Sequence, residues 1–91
     1  MKYEVVVTRQ FRKDYKLAIK RGYAQEKLEH VIELLRHGEP LPERYRDHAL
    51  VGNYAGFREC HIQSDWLLIY TIDNGALILT LSRTESHSDL F

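Results

Sequence analysis

Cysteine is almost absent from this 91-residue chain: Cys60 stands alone, so no internal disulfide can form, and a reducing cytoplasm is the expected setting. Long apolar runs are missing too. Val5-Val6-Val7 is far too short for a signal-peptide core or a membrane span, so no membrane association is expected. Proline occurs twice, both times within Glu39-Pro40-Leu41-Pro42. There is no internal repeat and no low-complexity tract. Net charge is zero, which at first argues against a nucleic-acid partner. What is present is a hydrophobic fraction of 44% with 29% charged residues, the balance of a folded soluble domain. A chain of this length makes a single domain, spanning 1–91, that buries roughly 65% of its unfolded surface.

The zero net charge hides an uneven distribution. Residues 1–22 carry seven basic side chains (Lys2, Arg9, Arg12, Lys13, Lys16, Lys20, Arg21) against Glu4 and Asp14. A basic front end fits phosphate attraction at one face, and a solvated helix face accounts for it equally well.

Hydrophobic periodicity organises the chain. Residues 2–7 are rich in β-branched and aromatic side chains and read as a strand. Thr8 is placed to cap a helix with apolar Phe11, Tyr15, Ala18 and Ile19, ended by Gly22. A second helix spans about 24–37, with Leu28, Val31, Ile32 and Leu35 on one stripe and Gly38 as its stop. The prolines forbid helix beyond that point, so residues 39–53 form a long irregular connection containing His48. Three antiparallel strands follow at 54–63, 66–72 and 76–83, the last two joined by a tight Asp73-Asn74-Gly75 turn. The expected fold is α+β, in the order β-α-α-β-β-β, with a helical hairpin on one face of a small, largely antiparallel sheet.

Three of the five histidines lie in polar-aromatic clusters: Arg46-Asp47-His48-Ala49-Leu50, Phe57-Arg58-Glu59-Cys60-His61-Ile62 and Ser86-His87-Ser88-Asp89-Leu90-Phe91. Imidazole both takes and gives a proton near neutral pH, which suits acid–base work on a phosphate ester. In a meander, the end of one strand lies beside the start of the next. His61 is therefore expected close to Asp65 and Trp66, with Arg83 returning to the same end and Glu85 and His87 following. Alternation puts Glu59 and His61 on one face and Cys60 and Ile62 on the other. If the second pair points at the helices, the first faces outward into a groove. This reasoning does not place His48. His30 and His37 fit ordinary helix-surface roles, Trp66 and Tyr70 fit the core, and Cys60 fits a small buried hydrophobe.

The same residues carry a resemblance. The helical hairpin, Asp47-His48-Ala49-Leu50, Gly52-Asn53-Tyr54-Ala55-Gly56-Phe57-Arg58-Glu59-Cys60-His61-Ile62, Asp65-Trp66-Leu67-Leu68-Ile69-Tyr70 and the closing Ser86–Phe91 segment together resemble the RelE/ParE toxins of bacterial toxin–antitoxin pairs. Within that superfamily they resemble the histidine-dependent YafQ branch of mRNA interferases. The resemblance covers essentially the whole chain. It implies a RelE-like fold and a cytoplasmic, ribosome-dependent endoribonuclease that cuts mRNA in the A site and needs no cofactor. It also implies neutralisation by a cognate DinJ/RelB-like antitoxin, with operator DNA contacted only through the antitoxin complex. Carried over by position, the catalytic histidines fall on His48, His61 and His87, and the essential acidic residue on Asp65. Glu59 stands where some relatives have aspartate, and Phe91 matches a terminal aromatic implicated in activity.

The chemistry such a set supports is attack of a ribose 2′-hydroxyl on the adjacent phosphate, giving a 2′,3′-cyclic phosphate and a 5′-hydroxyl end. His87 is the expected general acid, with His61 or Asp65 near the nucleophile, although these roles can be exchanged. Arg83 is a candidate to stabilise phosphate charge. Phe91 either stacks on a base or pins the tail. Two other classes remain open. Three histidines plus Asp65 could ligate zinc, although the chain lacks a compact His-x-x-x-His spacing. A catalytically silent module acting as co-repressor, or on another target such as gyrase, would not need the histidine clusters.

Overall fold

The computed structural model describes residues 2–63 and 65–86. Strand β1 (Glu4–Val7) leads into helices α1 (Arg9–Lys20) and α2 (Gln25–Arg36). Strands β2 (His48–Ala49), β3 (Arg58–His61), β4 (Trp66–Asp73) and β5 (Ile78–Ser86) follow. They form one five-stranded sheet in the order β1-β5-β4-β3-β2, antiparallel except for the parallel β1–β5 pair. The α+β arrangement expected from the sequence is present, with β2 as an additional edge strand.

Thr8 caps α1 as expected: its hydroxyl oxygen accepts from the Phe11 N–H at 3.0 Å and donates to the Ser82 carbonyl at 2.8 Å. The buried stripe of α1 differs from the expected one. Phe11, Asp14 and Ala18 are buried, whereas Ile19 is exposed. Asp14 turns inward because β5 supplies it with partners. The Thr84 N–H and Arg83 Nε each donate to its carboxylate at 3.2 Å, and Gln10 donates at 2.9 Å. Helix α2 buries Leu28, Val31 and Leu35 and stops at Gly38, whose φ of +75° is a left-handed conformation that glycine adopts without strain. At its last turn the Arg36 carbonyl accepts from the N–H groups of Lys2 and Tyr3 at 3.0 and 2.9 Å, which stitches the helix end to β1.

The two helices cover one face of the sheet. Cys60, Ile62, Trp66, Leu68, Tyr70, Leu79 and Leu81 meet Phe11, Ala18, Leu28, Val31 and Leu35 in a single core. Trp66 and Tyr70 are fully buried, and Tyr23 packs on the Trp66 ring with centroids 5.0 Å apart.

The connections and strand ends depart from expectation in several places. The segment 39–53 is more structured than an irregular loop. It holds single 3₁₀ turns at Glu43–Tyr45 and Gly52–Tyr54 and the two-residue strand β2, with Tyr45 buried as its anchor. The strand expected from Tyr54 starts only at Arg58, because Tyr54 lies in a turn and Gly56 has a φ of +95°. The Asn-Gly signal does mark a hairpin, but a four-residue connection replaces the tight turn. The Asp73 carboxylate accepts from the N–H groups of Gly75 and Ala76 at 2.9 and 3.0 Å, and Leu77 takes the left-handed conformation at φ 58°. The Asn74 side chain is drawn aside to accept from the Tyr3 hydroxyl.

Strand β5 runs on to Ser86, past the expected end at Arg83, and carries a bulge. Leu81 pairs with Tyr70 while Arg83 pairs with Ile69, so Ser82 is the extra residue. The bulge frees the Ser82 carbonyl for the Thr8 hydroxyl and inverts the alternation beyond it. Arg83 and Glu85 are thereby moved off the helix-facing side of Leu79 and Leu81 and onto the opposite, open face.

Candidate active site

Two cross-strand rows on that open face gather the polar residues. His48, Glu59, Ile69 and Arg83 are successive partners across β2, β3, β4 and β5. His61, Leu67 and Glu85 form the next row. Leu67 and Ile69 are buried between these polar flanks and form an apolar floor. The expected alternation holds, since Cys60 and Ile62 belong to the helix-facing core while Glu59 and His61 face the groove.

Glu59 is nevertheless buried at 5% exposure instead of facing solvent. Strand β2 explains the difference, because it brings His48 directly opposite. Glu59 Oε1 lies 3.4 Å from His48 Nε2 and 3.7 Å from His61 Nε2, and the two imidazole centroids are 6.3 Å apart. A shielded carboxylate thus stands between two imidazole edges. These separations are slightly long for hydrogen bonds.

His48 is held from behind by its own loop. Its Nδ1 lies 2.7 Å from the Arg46 carbonyl oxygen. An acceptor at that distance requires the hydrogen on Nδ1, which leaves Nε2 as the working atom toward Glu59. Arg46 aims that carbonyl by adopting a left-handed conformation, φ 49° and ψ 44°, a strain of the kind that accumulates at functional sites. Asp47 then anchors the loop to the core: its Oδ1 accepts from the Tyr70 hydroxyl at 2.5 Å, and its carboxylate pairs with Arg58 at 3.3 Å. Burial, and then the Asp47 contact, push the Tyr70 phenol up, while Asp47 holds the Arg58 guanidinium more firmly in its charged form.

Arg46 and Asp47 belong to the cluster around His48 in the sequence, but no local signal assigns them the orienting contacts they make. Tyr70 offered an indirect signal, because a tyrosine within a buried apolar run needs a partner for its hydroxyl. Cys60 is fully buried, and its thiol is pushed up by burial first, then by the charges of Asp47 and Glu59. It behaves as the buried hydrophobe expected and not as a nucleophile.

Asp65 is exposed at the β3–β4 turn, beside the end of the strand that carries His61. Arg83 lies farther from that end than expected. It sits opposite Ile69, two strand spacings (roughly 10 Å) across the row from Glu59. Its guanidinium is engaged by Asp14 at 3.2 Å and by Glu85. Glu85, expected to follow Arg83 at that end, is the β5 residue that shares a row with His61. Only the β5 bulge makes this so. His87 and Phe91 lie outside the described residues. Among the described residues, no three His, Cys, Asp or Glu side chains converge as ligands of a metal ion.

Comparison with known proteins identifies the family and the fold. The family model for the bacterial toxin of the type II toxin–antitoxin system, YafQ, matches residues 3–91. The mRNA interferase toxin YafQ of Escherichia coli K12 is 41% identical over 83 residues, which is 90% of this chain and 88% of that protein. In the solved E. coli DinJ–YafQ complex, a chain 38% identical superposes with a TM-score of 0.88 over 98% of both chains. A metal-bound toxin from Helicobacter pylori is 38% identical with a TM-score of 0.91, covering 98% of this chain and 99% of that one. The chain belongs to the YafQ family of bacterial type II toxin–antitoxin toxins.

Proposed function

We propose that this chain is the toxin of a type II pair and an mRNA interferase that cuts mRNA in the ribosomal A site in the cytoplasm. Its cognate antitoxin, of the DinJ/RelB kind, neutralises it and carries the complex to operator DNA. The observation that supports this best is the Glu59 carboxylate between the Nε2 atoms of His48 and His61, 3.4 and 3.7 Å away, on the face opposite the helices. Two imidazoles and a shielded carboxylate on an open groove suit proton transfer to and from a ribose phosphate. No helix of the described residues is long and apolar enough to cross a membrane, in keeping with a target on the ribosome.

In this mechanism His61, oriented by Glu59, takes the proton from the ribose 2′-hydroxyl. The 2′-oxygen attacks the adjacent phosphorus, and the bond to the 5′-oxygen breaks. His87 gives that oxygen a proton, leaving a 2′,3′-cyclic phosphate on one fragment and a 5′-hydroxyl on the other. His48 and Asp65 flank the reacting ribose, and Arg83 is near enough along its row to meet charge on the phosphate once it leaves Asp14 or Glu85. Phe91 supports the substrate as a stacking surface. Each proton transfer of this type is worth about 10²–10⁴-fold in rate.

The test is induced expression of the wild type and of His48→Ala, His61→Ala and His87→Ala, with the 5′ ends of cellular mRNA mapped. The expected result is cuts at defined codon positions that require translation, carry 5′-hydroxyl ends and vanish in the variants. Fragments ending in a 3′-hydroxyl would exclude 2′-hydroxyl attack. Loss of cleavage in a chelator would replace this chemistry with metal-assisted hydrolysis. Retained growth inhibition by His87→Ala would point to a catalytically silent binding module instead.

A further inference from the structure

A cleft of about 580 Å³ opens between α2 and the 3₁₀ turn at Glu43–Tyr45, and His61 forms part of its wall. One imidazole therefore borders both the catalytic groove and this second cavity. The volume is in the range of small-ligand sites. Its charge is one-sided, with Lys27, Arg44 and Arg46 facing Glu26, and His30 alongside. Arg44 is set in a particular way: its guanidinium lies over the Tyr45 ring at 4.9 Å and donates to the Tyr45 hydroxyl at 3.0 Å. A planar cation fixed on an aromatic ring, on an exposed residue, is a ready stacking surface for a base.

We infer that this cleft is a second nucleotide subsite, one that takes the mRNA nucleotide flanking the two joined by the scissile linkage. The base stacks on Arg44, and the backbone phosphate lies between Lys27 and Arg46. Continuity through His61 selects this ligand. A strand whose scissile ribose sits at His61 must pass along one wall of the cleft, and the cations there match its phosphate. Because the inference rests on the nuclease reading, its test includes an arm that needs no cleavage.

Lys27→Ala and Arg44→Ala replace exposed side chains and leave the His48–Glu59–His61 contacts in place. Binding of a 2′-O-methylated RNA oligonucleotide, followed by fluorescence anisotropy, is expected to weaken about 10-fold in Arg44→Ala. In Lys27→Ala the slope of log affinity against log salt should fall by about one. This arm reads the subsite even if the wild type proves not to cut RNA.

On programmed ribosomes, each variant should need about 10-fold more toxin for half-maximal single-turnover cleavage, with the plateau rate within about 3-fold of wild type. The penalty should disappear on messages trimmed of the flanking nucleotide on one side. An equal penalty on trimmed messages would assign the cleft to ribosomal RNA and overturn the inference. Weaker antitoxin binding with unchanged RNA binding would make the cleft an antitoxin surface and overturn it too. So would a fall in plateau rate without a shift in half-saturation.

Discussion

Replacing Asp47 with alanine tests how the core positions the loop that carries His48. The Tyr70 hydroxyl, on a side chain 1% exposed, loses its acceptor at 2.5 Å. A hydrogen bond to a charged acceptor contributes about 1.5–3 kcal/mol, and the variant leaves the Tyr70 donor without that acceptor. The Arg58 ion pair adds only about 0.2–1 kcal/mol, because its side chains are 41% and 24% exposed and solvent screens them. Asp47→Ala is therefore expected to cost about 2–4 kcal/mol, a shift of roughly 1–2 M in the urea midpoint. Tyr70→Phe should cost about 1–2 kcal/mol, since Asp47 keeps Arg58 and is partly solvated. The double variant should cost less than the two together, with a coupling above about 1 kcal/mol, because neither partner is then left unmatched. Asp47 adjoins both Arg46, whose carbonyl orients His48, and His48 itself, so cleavage at a temperature where all variants are folded should fall further in Asp47→Ala than in Tyr70→Phe. Additive stability losses, or full activity in Asp47→Ala, would show that the loop is held by something else.

Glu59→Gln keeps the shape of the carboxylate but removes the charge between the two imidazoles; the expected result is a folded protein whose cleavage rate falls about 10–100-fold, and an unchanged rate would remove Glu59 from the chemistry. Burial keeps the Cys60 thiol and the Tyr70 phenol neutral in the fold, so their contribution to stability is complete below the unfolded values, roughly 8.5 and 10, and is lost as pH rises above them. The urea midpoint should accordingly decline between about pH 8 and pH 11, and Cys60 should resist alkylation until the protein unfolds; rapid labelling of the native protein would contradict both statements. Gly38→Ala meets two obstacles, a φ of +75° and a Cβ 2.6 Å from Lys2 Cδ, and since that lysine side chain can swing away, the expected loss is about 1–2 kcal/mol from the backbone alone, read as a lower midpoint with unchanged activity.

Which parts of this molecule were legible in its sequence depends on how local the governing interaction is. The helices, their glycine stops and the Thr8 cap are decided within one or two turns of chain, and periodicity reports them. The split of β3 into Cys60 and Ile62 inward, Glu59 and His61 outward, follows from the two-residue period of a strand. The residues that orient the site follow from contacts between distant segments. The two-residue strand β2 is too short to alternate, yet it buries Glu59 by placing His48 opposite. Asp47 meets Tyr70 across 23 residues, and Asp14 meets Thr84 across 70. Neither pairing leaves a local pattern. The bulge at Ser82 is the sharpest case. Strict alternation puts Arg83 with Leu79 and Leu81, facing the helices, and one extra residue turns it and Glu85 to the groove. The hydroxyl that caps α1 also donates to the carbonyl of that extra residue, so Thr8 both starts the first helix and helps hold the irregularity that supplies the far end of the site. Local signals therefore delivered the scaffold and the carboxylate–imidazole face. The direction in which each remaining charged group points was settled by tertiary partners that the sequence does not display.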